Sequence, residues 1–423
     1  MLKYLGPMEK RRGEEIVMYT GMYKKIAYKK VLFSLMIVLI YILGTNLVIP
    51  GINVGGLYKT LSGTANGALV LGMTGLSLNQ ISLFSLGLGP WMSALIFWRV
   101  LMVSKLFHIK TLTNAQSYRI KFIFSLVLAS IQSFTIIAQA QTYEKSASIP
   151  SAALILILVT GMTILIWLGN LNSQYGIGGP TIIILVSILR NWPGNIISEV
   201  STRGWQGTLT TLIPGILLLM VGSYFVFRFY QGERRLTLNH IMIEDEVASK
   251  AYFPIPTNPA GGMPFMFAFS IVLLPQYVIF ILNKQFDSKI LEQLYQEIQL
   301  DHLLGVSLLI LSLVLLTYGF SYVNIDYKEL SESLKKSGDY FTNVYPGKNT
   351  ERYLFRQVTL MATLAAFTNG LIIGVPMLLA IYFPQVSMWA YIIPTWMILM
   401  TLMKEIKIQF SSLYHRNDYK ALL

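Results

Sequence analysis

Residues 69–91 read LVLGMTGLSLNQISLFSLGLGPW, and the reading of this stretch decides the fold. It is apolar enough for a bilayer, yet Gly72, Gly75, Gly87, Gly89 and Pro90 interrupt it. Each glycine weakens a helix by roughly 1 kcal/mol and each proline by about 3. A membrane protein gains from such a segment where a helix must part from its neighbours, or where a short piece must swing aside.

The surroundings put that segment in a bilayer. The chain is 54% hydrophobic and 13% charged, with a mean hydropathy of +0.56. That composition, laid out in long runs, belongs to a polytopic membrane protein. There is no cysteine, which excludes disulfides and thiolate metal sites. The first 29 residues are charged, and the apolar run after them is long and lacks a small-residue cleavage site, so no cleavable signal is expected. Runs of about 20 apolar residues cross a hydrocarbon core of about 30 Å. Ten candidates lie near 31–50, 81–103, 120–141, 150–170, 177–195, 208–229, 262–283, 303–323, 357–382 and 386–403.

Charge sets an orientation. With a cytosolic N-terminus, the even-numbered loops and both termini hold 26 of the 33 Lys and Arg, the opposite side holds six, and Arg99 lies within the second span. That asymmetry follows the positive-inside rule and places both ends in the cytosol. The net charge of +13 therefore reports topology, and no nucleic-acid partner is expected. Two inner loops, 231–257 and 324–356, are long and charged, as loops with a task or without fixed structure are. Five spans precede residue 200 and five follow. A glycine- and proline-broken segment stands second in each half, at 69–91 and at 257–275 (TNPAGGMPFMFAFSIVLLP). Paired broken segments are the signature of an inverted repeat with a site between the halves.

The missing chemistry narrows the function. His108, His240, His302 and His415 lie in loops or at span edges, and no acidic residue falls mid-span. Ion-coupled carriers and intramembrane enzymes place ionisable groups at membrane depth. An enzyme is thus excluded, a secondary transporter of small solutes disfavoured, and no cofactor or metal site expected. A conduit with an apolar interior remains, gated as hydrophobic constrictions are.

Five motifs in order resemble the SecY family, the channel subunits of the Sec protein translocon, over nearly the whole chain. They are LVIPGIN (Leu47 to Asn53), SLFSLGLGPWMSA (82–94), Tyr175-Gly-Ile-Gly178, NPAGGMPFMFAFSIVLLP (258–275), and Glu332 to Gly338 followed by Pro346-Gly347. The resemblance implies an all-α polytopic membrane protein with ten transmembrane helices in two pseudo-symmetric, inverted five-helix halves, 1–195 and 196–423. It implies a plug over 68–79, including Leu71, Gly72, Met73, Thr74 and Gly75. It implies a pore ring of Leu88, Met92, Thr181, Leu185, Met266 and Ile393 (or Ile392). A lateral gate between the second and seventh helices would include Gly89, Pro90, Ser93, Gln132 and Ser270, with Gly87, Gly89 and Pro90 giving the gate helix its flexibility. Motor docking falls to Arg234, Arg235, Lys335, Lys336, Tyr345 and Lys348. The partners implied are a SecA-type ATPase, small SecE-like subunits, unfolded or glycosylated preproteins and the lipid bilayer, with the plasma membrane as location.

Departures point within the family. The usual arginine before Pro-Gly is Tyr345, the fifth-helix motif has become GIGGPTI with Thr181 in the ring, and Glu244-Asp245-Glu246 stands where a basic cluster is usual. Arg99 replaces a glutamine at the end of the gate helix. Together these resemble the accessory Sec channel of Gram-positive bacteria, which exports serine-rich glycoprotein adhesins with a dedicated SecA-type motor. The general SecY channel is the alternative.

Overall fold

The computed structural model describes residues 7–49, 82–103, 113–143, 150–240, 252–286, 288–383 and 387–414. In lipid every backbone polar group needs an internal partner, so spanning segments are helices. The elements are α1 (Pro7–Asn46), α2 (Gly89–Val103), α3 (Asn114–Tyr143), α4 (Ser151–Tyr175), α5 (Thr181–Gln231), β1 (Glu233–His240), β2 (Tyr252–Pro256) and α6 (Met263–Phe286). They continue with α7 (Lys289–Glu297), α8 (Leu303–Asn324), α9 (Tyr327–Ser337), β3 (Asp339–Phe341), α10 (Lys348–Tyr382) and α11 (Ser387–Tyr414). Among the described residues six helical stretches are long and apolar enough to cross a membrane, and Thr181–Arg190 and Gly215–Gln231 are shorter apolar ones. With α2 and α11 they make up the ten transmembrane segments of the fold.

The fifth and sixth spans depart from expectation. They were expected as two helices, 177–195 and 208–229, and instead form one helix, α5, of 51 residues. Straight, it would be about 75 Å long at about 1.5 Å per residue. Yet both its ends lie against the same end of α11. Gly178 N, just ahead of α5, donates to Gln409 Oε1 at 2.9 Å, and Lys404 Nζ donates to Tyr230 O at 3.0 Å. The middle lies at the other end of the bundle, where Arg190 Nη2 donates to Asn46 Oδ1 at 2.7 Å and Gly215 abuts the Trp389 ring. The helix therefore climbs, folds back and descends, and the two segments run in opposite directions as two spans must.

The second span also starts late. Gly87 (φ 60°) sits in the turn that precedes α2, not in a helix. Pro90 is the second residue of α2, in the first turn, where a missing N–H costs nothing. Gly87, Gly89 and Pro90 thus begin the helix; they do not make its body flexible.

The two long charged loops fold together. A three-stranded sheet in the order β2-β1-β3 joins loop 231–257 to loop 324–356. In β1, Leu236 faces Phe253 and Leu238 faces Phe341 across antiparallel pairs, with alternate residues on opposite faces. Asp326 caps α9 by accepting from Lys328 N and Glu329 N, and Gly338 (φ 80°) ends it. A small core of Leu236, Ile255, Leu334, Phe341, Leu354 and Val358 packs beneath the sheet, apart from the main core. The bundle thus has a sheet face and a far face.

Candidate functional site: the seam between the halves

Two packing seams join the halves. On one side α2 and α3 pack on α6, and α2 reaches α8; on the other α1 packs on α11, and Gly178, just ahead of α5, donates to Gln409 of α11. The helices that carry the expected ring follow one another in contact, α2 with α6, α6 with α11, and α11 with α5.

The entrance to α2 is built from an irregular but fully engaged segment, 82–88. Leu83 N donates to Leu47 O at 3.1 Å, Ser85 N to Ser82 O at 3.1 Å and Gly87 N to Phe84 O at 3.0 Å. Phe84 stacks on Tyr41 of α1 with ring centroids 6.2 Å apart. On the other side the Leu83 carbonyl lies directly over Gly161 of α4, where a side chain would collide with it. Small residues let backbones approach this closely in membranes.

The turn before α5 is fixed by one side chain. Asn172 is fully buried. Its Nδ2 donates to Ile177 O and Gly179 O, each at 2.8 Å, and its Oδ1 accepts from Ser34 Oγ of α1 at 2.8 Å. Ser34 Oγ in turn accepts from Ile177 N at 2.8 Å. Gly178 (φ 80°) and Gly179 (φ 50°) take a left-handed backbone that only glycine adopts freely. The GIGGP run therefore sets where Thr181 and Leu185 point.

Of the expected ring, Leu88 is buried at the last position before α2, while Met92, Thr181, Leu185, Ile392 and Ile393 are half-buried on α2, α5 and α11. Met266 lies in the first turn of α6, and its side chain is outside the described residues. At the expected gate, Ser93 is buried and donates to Gly89 O at 3.1 Å, Gly89 and Pro90 open α2, and Gln132 is buried on α3. The Ser270 side chain and the whole expected plug, with Leu71, Gly72, Met73, Thr74 and Gly75, are outside the described residues. Sequence reading passed over Ser133, next to Gln132. Its Oγ is buried and has no hydrogen-bond partner among the described residues, and a hydroxyl in a serine one residue along from a chosen glutamine was the only signal.

The expected docking residues share one platform. Arg234 and Arg235 lie on β1, Lys335 and Lys336 in the last turn of α9, and Lys348 opens α10. Arg235 Nε donates to Glu233 Oε1 at 2.8 Å, which holds the guanidinium even more firmly protonated than usual, and it covers the Tyr252 ring at 4.7 Å. Tyr345 is 80% exposed, although its carbonyl accepts from Thr350 Oγ1 at 3.2 Å. Its ring does not pack within its own loop.

Residues 82–402 match the SecY family model. The chain is 32% identical to the accessory Sec system protein translocase subunit SecY2 of Leuconostoc gelidum subsp. gasicomitatum, covering 94% of this chain and 97% of that one. It is 31% identical to the subunit of the same name from Streptococcus salivarius, over 94% and 98%. Among solved structures it resembles a SecY channel studied for its plug domain, with a TM-score of 0.61, 14% identity and coverage of 92% and 93%. A second, described as a protein conducting channel, gives a TM-score of 0.58 at 14% identity, over 92% and 94%. The fold is that of the SecY and Sec61 channels, and this multi-pass membrane chain belongs to the SecY family.

Proposed function

We propose that the chain is the protein-conducting channel subunit of an accessory Sec translocon. It exports a small set of preproteins, serine-rich glycoprotein adhesins among them, across the plasma membrane, with both termini in the cytosol. The observation that carries this reading is likeness over nearly full length to subunits named for the accessory system. Residues 1–195 and 196–423 act as the two halves, parting at the seam of α2 and α3 with α6. Leu88, Met92, Thr181, Leu185, Met266 and Ile393 narrow the pore. Flexible Leu and Met side chains let such a ring adapt to varied chains. Residues 68–79 plug it. Gly89, Pro90, Ser93, Gln132 and Ser270 line the gate. The chain is no enzyme, so a dedicated SecA-type ATPase supplies the energy, docking on Arg234, Arg235, Lys335, Lys336, Tyr345 and Lys348. An exposed tyrosine on this platform supports the dedicated motor, because aromatic residues anchor interfaces.

Deletion of the gene, followed by a census of secreted and surface proteins, tests the proposal. Loss of one or a few large glycosylated surface proteins, with other export intact, is expected. A general collapse of secretion would favour the general channel, and unchanged secretion with loss of a solute's uptake would favour a transporter.

A further inference from the structure

The short helix α7 joins the far ends of α6 and α8, on the face opposite the sheet. Its sequence KILEQLYQE sorts cleanly by helical position. Ile290, Leu291, Leu294 and Tyr295, spaced i, i+1, i+4 and i+5, form one apolar arc; Lys289, Glu292, Gln293, Gln296 and Glu297 form the polar arc. The apolar arc is then split by packing. Tyr295 lies against Phe280 of α6 with ring centroids 5.7 Å apart, and burial raises the pKa of its hydroxyl. Leu291 is likewise half-buried. Ile290 and Leu294, one turn apart on the other flank, are 69% and 44% exposed.

A second tie fixes the helix to α6. Gln276 Nε2 donates to Ile298 O, one residue beyond α7, at 2.8 Å. Half of the apolar arc is therefore held against the protein, and among the described residues nothing covers the other half. The exposed flank continues an apolar surface already turned to lipid. Val278, Leu282 and Phe286 on α6, and Leu304, Leu308 and Leu311 on α8, are exposed on spans that cross the membrane. An amphipathic helix continuous with such a belt lies along the plane where headgroups meet acyl chains.

We propose that α7 is a lipid-docking helix, with Ile290 and Leu294 inserted into the membrane boundary of the far leaflet and Glu292 and Gln296 facing water. Because Gln276 and Phe280 tie it to α6, the far end of this seam helix is anchored to the lipid surface. Parting of α6 from α2 then moves α7 through that surface. The occupant is the bilayer itself.

The absence of cysteine makes the test direct. Single variants Ile290→Cys, Leu294→Cys, Glu292→Cys and Gln296→Cys carry a nitroxide label in the purified full chain, reconstituted in vesicles of phosphatidylcholine and phosphatidylglycerol. Power-saturation electron paramagnetic resonance compares collisions with oxygen, which partitions into lipid, against a water-soluble nickel chelate. The oxygen-to-nickel ratio at 290 and 294 should exceed that at 292 and 296 several-fold. Equal ratios at all four sites would overturn the proposal. So would exclusion of both probes from 290 and 294, the result if another copy or another segment of this chain covers the flank. Should a labelled variant fail to fold, a photo-crosslinking amino acid at Ile290 or Gln296 gives the same reading: crosslinks to lipid from 290 and none from 296 are expected, and equal crosslinking from both contradicts it.

Discussion

Asn172→Asp keeps the shape of the side chain at the turn before α5 and removes both of its donors. Asn172 Nδ2 holds Ile177 O and Gly179 O, each at 2.8 Å, so the substitution turns a carboxyl oxygen towards two carbonyl oxygens in a fully buried site. The single proton of Ser34 Oγ is already given to Asn172 Oδ1 at 2.8 Å, so Ile177 O and Gly179 O both lose their donor. Two stranded buried carbonyls, at about 1–3 kcal/mol each, give a loss of about 2–6 kcal/mol. Ser34→Ala removes the acceptor for Ile177 N at 2.8 Å but leaves both Asn172 donors in place, and should cost less. The two changes share the Ser34–Asn172 bond, so the double variant should lose less than the sum of the two single losses. Thermal unfolding of purified protein in detergent, followed by tryptophan fluorescence, reads all three. An Asn172→Asp protein that melts with the wild type would refute this account of the GIGGP turn.

Other outcomes follow from the same contacts. Gly161→Val drives a side chain into the Leu83 carbonyl, an overpacking that costs about 1–3 kcal/mol; it should displace segment 82–88 and lower the melting temperature in detergent, and an unchanged melting temperature would count against this close contact. Phe341, 2% exposed beneath the sheet, should cost about 3–5 kcal/mol of local stability when changed to alanine, so that limited proteolysis cuts 324–356 while the membrane helices survive; cleavage at the wild-type rate would argue against a joined platform. Cysteines at Ser93 and Ser270 or neighbouring pairs, needing Cα atoms within about 7 Å, should crosslink in the resting state and block export, and crosslinks that leave export untouched would remove the gate from this seam. Tyr345→Ala should weaken binding of the dedicated motor by more than about 1 kcal/mol and Tyr345→Arg should raise binding of the general one; equal affinities for wild type and both variants would take this position out of motor choice.

Much of the fold was legible because spanning helices announce themselves by length and apolarity. The runs near 120–141, 150–170, 303–323 and 357–382 became α3, α4, α8 and α10. The fifth and sixth apolar runs are separated by Pro193-Gly194 and a polar stretch, yet a helical backbone carries the chain through its reversal. The start of α2 was misjudged because apolarity continues through 82–88, while the helix waits for Gly89-Pro90. The sheet was invisible for another reason. β1 pairs with β3 from a loop about a hundred residues away, and local composition carries no record of such a partner. The seam was reached by resemblance, since the chemistry of an apolar conduit leaves no charged signature. Asn172, which fixes the turn ahead of Thr181 and Leu185, was passed over as part of an uncharged connection.

The central claim is that an extended polypeptide passes between the two halves, past the expected ring residues on α2, α5, α6 and α11. A photo-crosslinking amino acid placed singly at Met92, Leu185 or Ile393, with Leu35 and Phe367 as lipid-facing controls (57% and 70% exposed), reads this directly against a preprotein stalled during export. Crosslinks to the stalled chain from Met92, Leu185 and Ile393, and none from Leu35 or Phe367, are the predicted result. Crosslinks absent from the three inner positions, or equally strong from the lipid-facing ones, would contradict it.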